Sequence, residues 1–201
     1  MLKLQIKYLM LVKGDRIMTK FEEKTIKTEQ IFNGKVINLQ VDDVTLPDGK
    51  SSKRELVKHP GAVAVIAMTP DNKVVFVEQY RKPLEKTLIE IPAGKLEKGE
   101  KPEVSAKREL EEETGYTTDN LKFVTSFYTS PGFADELIHL YYTDNLIPLK
   151  EAKALDEDEF VELLELTVEE ADKLVQEQKI HDAKTAYALL YLKLIQKGMN
   201  Q

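Results

Sequence analysis

RELEEETGY, residues 108–116, places Glu109, Glu111, Glu112 and Glu113 within five positions, immediately ahead of Gly115. A glycine after such a run is the left-handed residue that stops a helix. A helix end carries the negative pole of the backbone dipole, so carboxylates there are unfavourable. Glu109 and Glu113 add an i, i+4 like-charge pair, at a further cost of roughly a few tenths of a kcal/mol. Successive helical residues advance by about 100°, so Glu112 lies about 60° behind Glu109 and Glu113 about 40° ahead of it. These three carboxylates share one wedge, while Glu111 points elsewhere. Hard divalent cations take several oxygen ligands, and Mg²⁺ takes a few carboxylates together with substrate phosphates. A bound cation turns the local repulsion into attraction. Taken alone, the run also suits an ordinary solvated helix face.

The wider spacing separates the two readings. Gly94 is followed by five residues and Glu100, seven more and Arg108-Glu109-Leu110, one more and Glu112-Glu113, then one more and Gly115-Tyr116. This resembles the Nudix box, G-x5-E-x7-R-E-U-x-E-E-x-G-U, in which U is a bulky apolar residue. Every fixed position matches, and only Tyr116 departs, being aromatic where an aliphatic residue is usual. A pattern with so many fixed positions is specific, unlike a lone glycine-rich loop. The resemblance implies Glu109 and Glu113 as metal ligands, Glu112 as a further or water-mediated one, and Ala93 as a ligand through its backbone carbonyl. It implies that Arg108 pairs with an acidic neighbour and orients the ligands. Glu100 would support the loop or assist around the metal, and Gly94 would let the loop turn back along the helix. The implied cation is Mg²⁺, with Mn²⁺ as the alternative.

Working outward, KPEVSAKRELEEET (101–114) is predicted helical, with Pro102 in the first turn and Glu103 at the positive end. Before it, GAVAVIAM and KVVFVEQY are near-continuous apolar runs joined by TPDN, which predicts a hairpin of buried strands. TLIEIPAG is a short strand that Pro92 and Gly94 break into a loop. Residues 29–58 are β-rich: VINLQVDDVTL and KSSKRELVKH flank the turn PDG. After the helix, LKFVTSFYTS, ELIHLYYTD and EFVELLEL are predicted strands, and TVEEADKLVQEQ and DAKTAYALLYLKLIQK predicted helices. In the last helix, Ala183, Ala186, Leu189, Leu190, Lys193 and Leu194 recur near helical spacing and are expected to face the sheet. The fold class expected is α+β: mixed sheets sandwiched between helices, as in the Nudix α/β/α sandwich, with an N-terminal β-rich segment. The expected divisions are residues 1–17 as an extension, 18–60 as the β segment, and 61–201 as the hydrolase domain. Lys13-Gly14-Asp15 can be encoded by AAAGGAGAT, the pattern of a ribosome-binding site, which would make Met18 the start.

Other stretches are similar to the ADP-ribose and nucleotide-sugar pyrophosphatase branch of the family. EIPAG (90–94) runs straight into the box, EQYR ends a strand before it, and SPG follows with Pro131 fifteen residues past Tyr116. The similarity implies that Arg81 contacts the diphosphate or adenine side, where a guanidinium forms bidentate bonds to phosphate. It implies Arg54 as an arginine reaching into a partner subunit's site, and Ser130 and Glu136 as contacts near the terminal ribose and the metal. A glutamate after the sheet would take the attacking water's proton; Glu157 aligns best and Glu159 second. The implied reaction is Mg²⁺-dependent hydrolysis of ADP-ribose to AMP and ribose 5-phosphate by a homodimer. Hydrolysis of another nucleoside diphosphate sugar, or a non-catalytic ADP-ribose sensor, are the alternatives. His59, His139 and His181 are not spaced as a metal pair and read as structural.

Composition bounds these readings. The 201 residues are 42% hydrophobic and 32% charged, a globular balance. With no cysteine there is neither a disulfide nor a thiolate ligand nor a cysteine nucleophile, which fits a reducing cytoplasm. The net charge of −6 argues against bulk attraction to nucleic acid or anionic membrane. MLKLQIKYLMLV at the start is apolar but too short to span a bilayer.

Overall fold

The computed structural model describes residues 20–151, 153 and 160–198. The expected extension 1–17, Met18, Glu157 and Glu159 lie outside these residues.

The strand β4 (Ala62–Ala67) explains the layering. All six of its residues are buried, and it pairs in parallel with β10 (Leu137–Thr143) on one side and antiparallel with β7 (Ala93–Lys95) on the other. A strand covered on both faces needs apolar residues at every position, which is why this run does not alternate. Val63, Val65 and Ala67 pack with Ala106 and Leu110 of α1 (Pro102–Thr114). Ala62, Ala64 and Ile66 face the other way, toward Val168 and Ala171 of α2 (Val168–Gln176) and Ala188, Leu189 and Leu192 of α3 (Ala183–Gln196). Period-two alternation along one strand therefore feeds two cores, and the helix–sheet–helix sandwich follows.

The four-stranded sheet runs β7-β4-β10-β9, with β9 spanning Lys122–Tyr128. A second sheet runs β12-β5-β6, from Val161–Leu166, Val74–Arg81 and Lys86–Glu90. The expected hairpin over 61–80 is therefore corrected. β4 and β5 belong to different sheets, and across TPDN only an isolated bridge, Met68 to Val74, remains. Hydrophobicity marked both strands, but their partners come from distant segments that local pattern does not encode. Two short strands, β8 (Tyr116–Thr117) and β11 (Ile147–Pro148), pair with each other and lie below the length that pattern detects.

The N-terminal sheet is β1-β2-β3: Lys24–Asn33, Asn38–Thr45 and Ser51–Lys58. Strand β1 begins ahead of the expected β-rich stretch, and all ten of its residues are exposed. The buried side of α3 is also corrected. Thr185, Ala188, Leu189 and Leu192 are buried, whereas Leu190 and Leu194 are 61% and 43% exposed. The helix turns its small residues to the sheet, where the Thr185 hydroxyl accepts the Ile91 N–H at 3.0 Å. The N-terminus of α2 is a capping box: Glu170 N–H donates to Thr167 Oγ1, and the Glu170 carboxylate accepts the Thr167 N–H.

Candidate active site

Helix α1 stops at Gly115, whose φ of 70° is the left-handed cap conformation and whose N–H reaches the Glu111 carbonyl at 3.1 Å. With Leu110 fully buried against β4, Glu109 and Glu113 turn toward β7 and are themselves only 7% exposed. A Cβ added at Gly94 would lie 1.9 Å from the Glu109 Cδ. Gly94 is thus required by the close approach of that carboxylate. It lies inside β7, so the expected role in turning a loop is corrected. Glu113 Oε2 accepts the Ala93 N–H at 2.9 Å. Val65 N–H donates to the Pro92 carbonyl, so Ala93 occupies the non-hydrogen-bonded pair opposite Ala64. Both backbone groups of Ala93 therefore face away from β4, on the side of Glu113.

Arg108 is the counter-charge to this cluster. Its Nη1 donates to Glu109 at 2.8 Å and to Glu112 at 3.0 Å, and its Nη2 donates to Glu100 at 3.0 Å and to the Lys95 carbonyl at 3.3 Å. The Glu100 hydrogen bonds raise the guanidinium's pKa further, and Arg108 in turn holds the Glu100 carboxyl below the usual range. Glu111 faces elsewhere, accepting from the Thr117 hydroxyl and the Lys153 ammonium, each at 2.5 Å. Among the described residues no three acidic or histidine side chains close around an ion-sized space in this conformation. The donor set nonetheless suits a hard cation. It offers carboxylate oxygens on one wedge of α1, an outward backbone at Ala93, and a glycine that leaves room for Glu109.

Beside the cluster lies a cavity of about 640 Å³ that brings together Arg81, Ala93, Gly94, Ser130 and Glu136. A smaller one of about 330 Å³ shares Val36 and Lys95 with it and reaches Arg108, Glu109 and Glu112. Arg81 does not stand free: its Nε donates to Glu90 Oε2 at 2.6 Å. Glu90, 3% exposed, takes the Lys184 ammonium on its other oxygen at 2.9 Å, and Lys184 also meets Asp182 at 3.0 Å. Two cations share one buried carboxylate and keep further N–H donors for the cavity. Glu136 accepts the Thr129 hydroxyl at 2.5 Å, and the Ser130 carbonyl ties down its own loop by accepting the Phe133 and Ala134 N–H groups. Arg54 lies apart from the cavity, held by Glu23 at 2.6 and 2.8 Å. His59, Glu90, Asp182 and Lys184 also line the cavity; the sequence reads His59 as structural and does not point to the other three. A lysine in the first turn of a helix, against the dipole, was the one available signal for Lys184.

The NUDIX domain model matches residues 58–189. The chain belongs to the Nudix family. It is a Nudix hydrolase that carries, over residues 23–57, a match to the nucleoside diphosphate sugar hydrolase N-terminal domain. It is 63% identical to an ADP-ribose pyrophosphatase of Bacillus subtilis (strain 168) over 88% of this chain and 96% of the relative. It is 64% identical to a methanol dehydrogenase activator of Bacillus methanolicus, over 87% of this chain and 94% of the relative. A crystal structure of an ADP compounds hydrolase superposes with a TM-score of 0.77, covering 89% of this chain and 96% of that one. At 19% identity that likeness shows the shared fold of this Nudix chain. Among the described residues no helix is long and apolar enough to cross a membrane.

Proposed function

We propose that this Nudix hydrolase cleaves ADP-ribose to AMP and ribose 5-phosphate with Mg²⁺ or Mn²⁺. The observation that carries the reading is the meeting of Glu109, Glu113 and the Ala93 backbone at Gly94, beside a cavity that presents Arg81. The 63% identity to an ADP-ribose pyrophosphatase supports ADP-ribose as the substrate. Glu109, Glu112, Glu113 and the Ala93 carbonyl would hold the cation, with Glu100 acting through Arg108. Bound there, a divalent cation neutralises diphosphate charge and lowers the pKa of the attacking water. Arg108 keeps the carboxylates aligned, and Arg81 orients the diphosphate through the donors that Glu90 leaves unused. Water adds across the P–O–P bridge, and Glu157, or failing it Glu159, takes its proton, a contribution of about 10² to 10⁴ in rate. Arg54 would complete the site of a partner subunit in a homodimer. A chain without cysteines suits the cytoplasm.

The test is turnover of ADP-ribose by the purified chain, its loss on chelation and its return with Mg²⁺. Glu113→Gln keeps an oxygen for the Ala93 N–H but loses the charge. It should fold with an unchanged or slightly higher Tm and lose at least about 10²-fold in kcat. Turnover at the wild-type level in that variant would reject the assignment. The match to a nucleoside diphosphate sugar hydrolase domain favours a second substrate set, other nucleoside diphosphate sugars, and a panel of these alongside ADP-ribose decides between them. The 64% identity to a methanol dehydrogenase activator favours a second activity. Adding the chain to a methanol dehydrogenase assay tests it.

A further inference from the structure

His59 follows β3 and is fixed from several directions. Its N–H donates to Asp135 Oδ1 at 2.9 Å, and Lys58 Nζ donates to Asp135 Oδ2 at 3.0 Å. Val57 N–H donates to the Phe133 carbonyl at 2.8 Å, and Asp135 N–H to the Val57 carbonyl at 3.2 Å. The end of the N-terminal sheet is thus stitched to the loop that carries Ser130 and Glu136. The imidazole is 11% exposed and lines the 640 Å³ cavity.

The tautomer follows from its contacts. Nδ1 accepts the Gly61 N–H at 3.1 Å. In a neutral ring the accepting nitrogen carries no proton, so the proton is on Nε2. Among the described residues none accepts from Nε2. Glu136 Oε1 lies 3.7 Å from Nδ1, too far for a hydrogen bond, while its Oε2 is occupied by the Thr129 hydroxyl. His59 and Glu136 both line the cavity, so its wall offers the Nε2–H donor of a ring whose other nitrogen lies 3.7 Å from a carboxylate acceptor. A hydroxyl satisfies both at once, accepting from one and donating to the other.

We propose that His59 is a substrate-binding residue whose Nε2–H, together with Glu136 on the same cavity wall, reads a sugar hydroxyl on the group leaving with the second phosphate. The proposal rests on the functional reading given above.

Two substitutions divide the ring's two roles. His59→Asn places an amide oxygen where Nδ1 stands, keeping the bond from Gly61 but presenting nothing at Nε2. His59→Gln places an amide N–H at the Nε2 position and gives up the Nδ1 acceptor. Asn should keep the wild-type Tm and raise KM for ADP-ribose about tenfold, with kcat changed less than about twofold. Gln should restore KM to within about threefold of wild type while lowering Tm by about 2–4 °C. An Asn variant with wild-type KM, or a Gln variant with KM raised as far as that of Asn, overturns the proposal. Should Asn fail to fold, the KM of Gln alone decides by the same limits. Wild-type protein that leaves ADP-ribose and other nucleoside diphosphate sugars intact overturns the functional reading and this proposal with it. Normal wild-type turnover with an indifferent Asn variant overturns this proposal alone.

Discussion

A methyl group at position 94 would meet the Glu109 carboxylate at 1.9 Å from its carbon and 2.1 and 2.2 Å from its oxygens. Backbone β7 pairs with β4 and has no room to retreat, so the side chain of Glu109 must leave instead. Displacing a reacting group by about 1 Å costs about 10²-fold in rate. Gly94→Ala should therefore lose at least about that factor in kcat/KM and need more Mg²⁺ for half-maximal rate, while its circular dichroism stays that of the wild type. Wild-type kcat/KM in a folded Gly94→Ala protein would show that Glu109 is not held there for chemistry. The box residues from Arg108 to Glu113 were legible because their spacing is fixed by one helix, where angle follows from residue number, whereas Gly94 and Glu100 lie outside it and were legible only through the resemblance. Glu90, Asp182 and Lys184 were not, because Glu90 and Lys184 meet across 94 positions of chain and each of the three alone is an ordinary charged residue.

Elements were legible where local physics alone decides them. Helix α1 has a proline in its first turn and a glycine after its last, and it was found at its expected span. The face of α3 was misjudged because leucines lie on both sides, and the buried side is marked by the small residues Thr185 and Ala188 that let the helix approach the sheet. The β4–β5 run was misjudged because hydrophobicity specifies burial and leaves the partner open. The junction between the N-terminal sheet and the 129–136 loop is likewise a pairing between distant segments, and it depends on Asp135. Burial alone would raise the Asp135 carboxyl, but the His59 N–H and the Lys58 ammonium outweigh it and hold the group below the ordinary 3.8. A carboxyl depressed in the folded state stabilises above its unfolded pKa, and that stability fades as pH falls through the lower, folded value. Asp135→Asn keeps an acceptor for His59 but has no proton to gain. The Tm advantage of wild type over Asp135→Asn should be full at pH 6 and shrink below about pH 3.8. A difference that stays constant from pH 6 to about pH 3 would remove Asp135 from this role.

At the scale of the molecule, β1 is the anomaly. It is the edge of its sheet, and Ile26, Ile31 and Phe32 on it are 63%, 51% and 56% exposed. A long exposed edge strand bearing large apolar side chains is a surface that soluble proteins cover. Arg54 lies on the same sheet and outside its own chain's cavity, held by Glu23. A second copy packed on this sheet would account for both facts, since a two-fold interface uses the same patch twice and would hand Arg54 across to the other cavity. Wild-type chain should therefore sediment as a dimer. Ile26→Lys combined with Ile31→Lys places four like charges across such an interface and should give folded monomers whose kcat/KM for ADP-ribose is lower by about tenfold or more. Arg54→Ala should show a similar loss in kcat/KM while remaining dimeric, because it would remove the proposed contact with substrate and leave the apolar patch intact. Mixing Arg54→Ala with a Glu113→Gln chain adds a sharper arm. If each cavity takes its arginine from the other copy, a mixed dimer has one cavity with both defects and one with neither, so activity returns on mixing. Two impaired chains whose activity does not rise after exchange, or a wild-type chain that sediments as a monomer, would place Arg54 outside the site.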